Sequence, residues 1–244
     1  MNILLIGSSS AIAVAIARAY ARDNHALFLV SRDPARLTIQ KNDLEVRGAD
    51  RVETFCTDLT DTCRHPALVD AAVASLGTID LVLVCHGVLP DQRACEQDYA
   101  AVHASVEVNV LSVLSLLTSL GNFFELQGSG TLGVITSVAG DRGRPSNYVY
   151  GASKAMLSTY LEGLRARLHR RGVVVVDIRP GLVDSPMTRD IPKGPLFSST
   201  TRVATCILHG IAREKRVIYA PGYWRFIMGV VKLIPDVIFK RLSL

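Results

Sequence analysis

Seven short runs rich in Val, Ile and Leu recur along the chain with helix-length segments between them, and this alternation sharply limits the folds open to it. The runs are Ile3–Ile6, Ala26–Val30, Val52–Phe55, Leu81–Val84, Gly133–Thr136, Val173–Ile178 and Arg216–Tyr219. Apolar residues at helical spacing predict helices over Ala11–Arg22, Pro66–Leu76, Tyr99–Leu126 and Tyr150–Arg171. Strands that are hydrophobic at nearly every position have both faces covered, which requires a parallel sheet built from βα units. The expected class is therefore α/β: a doubly wound parallel sheet with helices on both faces and ligands at the carboxyl ends of the strands. Neither an internal repeat nor a low-complexity linker divides residues 1–244, so a single domain is expected.

With 244 residues and 49% hydrophobic side chains, the chain can bury one large core. Its five cysteines, Cys56, Cys63, Cys85, Cys95 and Cys206, are odd in number and widely spaced. Without a C-x-x-C pair or a histidine cluster they suggest no metal site and a reducing, cytoplasmic setting. The sequence enters its first apolar run directly after Met1-Asn2, with no secretory signal pattern. The net charge of +5 is scattered, which gives no support to a nucleic-acid partner. No apolar stretch reaches the ~18 uncharged residues needed to span a bilayer, so a transmembrane helix is not expected.

The first strand ends at Gly7, and Ser8-Ser9-Ser10-Ala11-Ile12-Ala13 opens the first helix. Glycine permits a tight turn, and the free N–H groups of a helix start, with three hydroxyls, suit a pyrophosphate. An ordinary serine-capped βα loop would read the same way. The second strand ends Val30-Ser31-Arg32 with no carboxylate at the position that holds ribose hydroxyls in NAD sites. Arg32 there suits a 2′-phosphate, so NADP(H) is favoured over NAD(H). Asp58, with Leu59 beside it, follows the third strand and either accepts from an adenine amino group or caps the next helix.

Lys154 follows Tyr150 by four residues, so the two side chains share one helix face. A phenol with an ordinary pKa of ~10 needs a nearby positive charge to favour its phenolate, and Lys154 supplies one. Ser137, after the fifth run, would stabilise charge on a substrate oxygen. Asn109 is a polar residue inside the apolar string Val106–Leu117. It is either a satisfied buried amide or a bend that holds a water between Lys154 and solvent.

Together these residues resemble the short-chain dehydrogenase/reductase family over essentially the whole chain, through Gly7 and its loop to Ala13, Asp58, Gly87, Asn109, Ser137, Tyr150, Lys154 and Pro180-Gly181. The resemblance implies a Rossmann fold, a catalytic tetrad of Asn109, Ser137, Tyr150 and Lys154, and reduction of a ketone by NAD(P)H. It implies a cofactor bordered by Gly7, Ser9, Ser10, Ala11, Ile12, Ser31, Arg32, Asp58, Leu59, His86, Gly87, Tyr150, Lys154, Pro180, Gly181, Val183 and Ser185. A homodimer or homotetramer through the helices carrying Asn109 and Tyr150 is implied as well. Two departures stand out: Ala11 and Ala13 replace glycines of the turn, and Val84-Cys85-His86-Gly87 replaces Asn-Asn-Ala-Gly. His86 either faces the site or is structural.

The segment Ser137 to Lys154, with Trp224-Arg225-Phe226 and Ile234-Pro235, looks like the decaprenylphosphoryl-2-keto-ribose reductase branch. That branch reduces a keto-sugar on a polyprenyl phosphate and is associated with NADH. It implies a lipid-linked ketone; the rivals are a soluble reductase of 3-oxoacyl, steroid or xenobiotic ketones and a non-catalytic cofactor-sensing protein. Residues 186–215, with three prolines and a glycine before Ser199, read as a substrate lid. Residues 223–244 form an apolar and basic tail, broken by Pro235, that suits either peripheral membrane contact or packing on a subunit. The expected location is the cytoplasm, with peripheral contact at the inner face of the membrane.

Overall fold

The computed structural model describes residues 1–242; positions 243 and 244, the end of the expected tail, lie outside the described residues. The chain runs through β1 (Asn2–Ile6), α1 (Ala11–Arg22), β2 (Ala26–Ser31), α2 (Pro34–Val46), β3 (Arg51–Cys56), α3 (His65–Leu76) and β4 (Leu81–Val84). It continues through α4 (Gln92–Gln97), α5 (Tyr99–Val106), α6 (Ser112–Gln127), β5 (Gly130–Ile135), α7 (Tyr148–His169) and β6 (Val173–Pro180). The last elements are β7 (Val183–Asp184), β8 (Ser198–Ser199), α8 (Thr200–Ile211), β9 (Val217–Ala220), α9 (Trp224–Leu233) and α10 (Asp236–Phe239).

Seven strands form one parallel sheet in the order β3-β2-β1-β4-β5-β6-β9, and β7 pairs with β8 in a small separate ribbon. The winding reverses between β1 and β4, so a crevice opens above their carboxyl ends. Alternate strand residues feed opposite layers, which explains the unbroken hydrophobicity of the strands. Leu4 and Ile6 pack with Leu68 of α3, Leu117 of α6 and Leu161 of α7. Ile3 and Leu5 pack with Ile16 of α1, Leu37 of α2 and Ile207 of α8.

The structure revises several boundaries. The helix expected over 99–126 is three pieces, because a π-helical turn, Glu107–Leu111, separates α5 from α6. By composition Tyr99–Gln127 could span a bilayer, yet Val113, Leu116, Leu120 and Phe124 are buried in the core of this domain. Of the lid expected at 186–215, residues 200–211 are α8, whose Val203, Ala204 and Ile207 are core. The outer segment is therefore 186–197. Pro235 does interrupt the tail, between α9 and α10.

A charge network fastens the carboxyl edge of the sheet. Asp177 of β6 is fully buried and accepts from Arg179 Nε at 2.8 Å and from the Thr136 hydroxyl. Arg179 Nη1 also donates to Asp141 at 2.6 Å, and the Tyr219 hydroxyl of β9 donates to the other Asp141 oxygen at 2.8 Å. Asp141 closes the 3-10 turn Val138–Asp141 that Ser137 opens, so the network fixes the turn after Ser137. Replacing one partner leaves buried charge uncompensated. Arg179→Met is expected to cost about 3–5 kcal/mol in urea unfolding, and a loss under about 1 kcal/mol would show the network to be dispensable.

Candidate active site

The crevice above β1 and β4 is a cavity of about 340 Å³. One end is the turn after β1. Gly7 has φ +77°, and a Cβ there would lie 2.7 Å from both the Cβ and the backbone nitrogen of His86, so only glycine fits. The Gly7 and Ser8 amides both donate to Val30 O at 2.9 Å, tying the turn to β2. Ser10 caps α1 by accepting from Ala13 N, while the Ser9 hydroxyl meets the Ser31 hydroxyl at 3.1 Å. The three hydroxyls expected at the cavity are in fact two. Ser8 turns inward, donating to Gln40 Oε1 at 3.0 Å while Gln40 Nε2 donates to Ser8 O at 2.8 Å. Of the two alanines that replace turn glycines, Ala11 lines the cavity and Ala13 packs in the core.

Arg32 lines the same end, joined by Arg36, which the sequence reading missed. The neighbouring carboxylate, Asp33, is engaged elsewhere: it caps α2 by accepting from Arg36 N at 3.1 Å and pairs with the Arg36 side chain at 3.3 Å. Asp58 does not cap a helix. Its Oδ1 accepts from Thr60 N at 2.9 Å and from the Thr60 hydroxyl at 2.8 Å. Those bonds hold its carboxyl below the usual range, with Arg32 contributing. Leu59 and Thr60 stand beside it on the wall.

At the other end Lys154 is 2% exposed. Its Nζ donates to Ile135 O at 3.2 Å and lies 5.6 Å from the Tyr150 ring centroid. Burial lowers Lys154 to about 8, with Asp177 pulling the other way. Burial also pushes Tyr150 up to about 12, against the Ser137 hydroxyl, whose hydrogen bond favours the phenolate. Ser137 is held in turn, its Oγ accepting from Ala139 N at 3.1 Å. Cys85 lines this end too, a thiol that burial raises to about 12.

Asn109 sits in the π turn, fully buried. Its Oδ1 accepts from Val88 N at 2.9 Å, and its Nδ2 donates to Val88 O at 2.9 Å and to the Ser105 hydroxyl at 3.1 Å. It is thus a satisfied buried amide, set in a π turn of the helix. It touches the loop after β4 rather than the cavity. A Cβ at position 87 would stand 2.8 Å from Asn109 Oδ1 and 3.3 Å from Lys154 Nζ, so Gly87 is what lets the two approach. His86 Nε2 meets the Ser112 hydroxyl at 2.9 Å, and that hydroxyl donates to Val108 O at 2.7 Å. Burial first, then Lys154, lowers His86 to about 3, so it is neutral.

Of the expected border residues, Gly7, Ser9, Ser10, Ala11, Ile12, Ser31, Arg32, Asp58, Leu59, His86, Gly87, Tyr150, Lys154 and Ser185 line the cavity, with Pro186 and Met187 beyond Ser185. Pro180, Gly181 and Val183 do not. A Cβ on Gly181 would fall 1.9 Å from Trp224 Nε1, so this glycine packs under the indole, and Val183 is buried in β7. The set could hold a dinucleotide: helix-start amides for a pyrophosphate, two guanidinium groups for a ribose phosphate, and Tyr150 with Lys154 at the reacting end.

The short chain dehydrogenase family profile matches residues 1–195. An uncharacterized oxidoreductase of Mycobacterium tuberculosis is 34% identical over 240 residues, covering 98% of this chain and 96% of its own. Among solved structures, a short chain dehydrogenase/reductase from Burkholderia phymatum in complex with NAD superposes with a TM-score of 0.85 at 22% identity, covering 100% of this chain and 96% of its own. A short-chain dehydrogenase from Sphingobium yanoikuyae in complex with NADPH gives 0.82 at 23% identity, covering 97% of each chain. The parallel sheet with its crevice, the family match and the full-length oxidoreductase relative lead to one conclusion: this chain belongs to the short chain dehydrogenase family.

Proposed function

We propose that this oxidoreductase reduces a ketone to a secondary alcohol with a nicotinamide dinucleotide, using Tyr150 as the proton donor. The observation that carries the reading is the Tyr150 phenol on the cavity wall, hydrogen-bonded to Ser137 and stacked near the buried Lys154 ammonium. When bound, the dinucleotide supplies the hydride for the carbonyl carbon. With a ketone bound, the Ser137 hydroxyl turns from Tyr150 to donate to the carbonyl oxygen as negative charge builds there. Tyr150 then gives that oxygen its proton, and its raised pKa of about 12 keeps the proton in place until it is needed. Lys154 opposes the charge left on the phenolate, and Asn109 positions the Gly87–Val88 loop that admits Lys154. Tyr150→Phe is expected to cut turnover at least about a hundredfold, the scale of general acid catalysis, while dinucleotide affinity measured by calorimetry changes little. Unchanged turnover would refute the assignment.

For the cofactor we favour NADPH over NADH, because Arg32 and Arg36 both line the ribose end while the Asp33 carboxylate is spent on the cap of α2. The likeness to an NADH-associated branch argues the other way. Arg32→Ala is expected to weaken NADPH binding roughly tenfold or more, as for a charge-assisted bond, and to leave NADH binding unaltered. An equal effect on both would remove the preference.

For the substrate we favour a lipid-linked keto-sugar, on the likeness of the Ser137–Lys154 segment and the apolar outer face of the tail; a soluble 3-oxoacyl, steroid or xenobiotic ketone is the alternative. A homodimer or homotetramer through α5–α6 and α7 is consistent with exposed Leu111 on the π turn, Leu126 on α6 and Met156 on α7.

A further inference from the structure

The tail has two faces with different fates. On α9, Trp224 and Met228 are buried against Val138. At about 100° per residue, Phe226, Val230 and Leu233 fall within an arc of about 60° on the opposite side. These three are 77%, 65% and 83% exposed, and the stripe continues into α10 with Val237 at 62% and Ile238 at 53%. Arg225 and Lys232 share one flank of the α9 stripe, and Lys240 and Arg241 follow α10; all four are exposed, and Asp236 is the one acid from 223 to 242. A broad apolar stripe edged by cations is the pattern of a helix lying in a membrane interface.

The tail is also held rigidly to the site. Arg142, next after the turn that Ser137 opens, donates through Nη1 to Val231 O at 2.8 Å and to Ile234 O at 2.6 Å. The same guanidinium lies 3.8 Å from the Phe239 ring centroid. The inner face of α9 therefore packs on the loop after Ser137, and its outer face points away from it.

We propose that the outer face of α9 and α10 docks on an anionic lipid surface, with the Ser137 loop packed on the opposite, inner face of α9. Charge decides between occupants. A two-fold contact with a second copy through this face would bring Arg225 and Lys232 toward their own counterparts, whereas anionic headgroups neutralise them. The docking surface stands apart from the reductase reading, since it needs neither cofactor nor turnover.

The test is sedimentation of the full chain with vesicles of phosphatidylcholine alone and with vesicles containing phosphatidylglycerol, with the mass in solution measured by light scattering. The wild-type chain should sediment with the phosphatidylglycerol vesicles, and added salt should weaken that binding. Phe226→Ser with Leu233→Ser, or Arg225→Glu with Lys232→Glu, should reduce bound protein at least tenfold, with dinucleotide affinity unchanged. Binding that survives both pairs, or no binding by the wild type, overturns the proposal. So does a wild-type dimer that F226S with L233S converts to monomer, because the face would then be a subunit contact. If vesicle binding holds and no ketone is reduced, the reductase reading alone fails.

Discussion

A lysine ammonium held almost out of water is the constraint around which the site is built. The Lys154 ammonium donates to the carbonyl of Ile135 at 3.2 Å, and its cost of burial shows in a pKa lowered to about 8. A charge in that position is tolerable only where further dipoles and counter-charges surround it. Asp177 of β6 supplies the counter-charge, and the Tyr150 ring lies 5.6 Å from the ammonium on the preceding helical turn. Burial governs the phenol as well, pushing it up to about 12 against the Ser137 hydrogen bond, so the Lys154 charge bears on the phenolate left after proton transfer and not on the resting phenol.

Several unrelated-looking features serve that arrangement. Gly87 lacks a side chain because Asn109 and Lys154 close on the space it leaves. Asn109 can reach Val88 because a π turn shifts it out of the regular helix. The Asp177–Arg179–Asp141 network keeps the end of β6 and the turn after Ser137 in register, and Tyr219 brings β9 into the same lock. The tail adds to this by packing Trp224 and Met228 on Val138 and by taking three carbonyl bonds from Arg142.

The parallel sheet could be read in the sequence because burial on both faces leaves an unbroken apolar run, and each of the seven runs is a strand. The spacing of Tyr150 and Lys154 was equally legible, since a four-residue interval on a helix fixes a shared face. The π turn was not, because one extra residue in a helical turn leaves the apolar pattern around Asn109 almost unaltered. Helix α2 was missed because only Leu37 and Leu44 are buried while Ile39 and Val46 are exposed, which blurs its apolar period; with it went Arg36 and the Gln40 clamp on Ser8. The Asp33-Pro34 pair was the available signal, an N-cap followed by proline at the first helical position. Helix α8 fell inside the span read as lid because prolines before Ser199 mark an irregular segment but not where the next helix begins. Gly181 is not on the cavity wall because Trp224, distant in sequence, packs over it.

The account turns on the charge of Lys154 sustaining proton donation by Tyr150. Its lowered pKa means the ammonium is present below about 8 and is lost as pH rises through that value. The most direct measurement is the pH dependence of single-turnover ketone reduction with saturating dinucleotide. The account predicts a rate that is level below about 8 and declines above it, with that inflection absent in Lys154→Met. A wild-type rate that stays level through that range, or an inflection that persists in the variant, would contradict it.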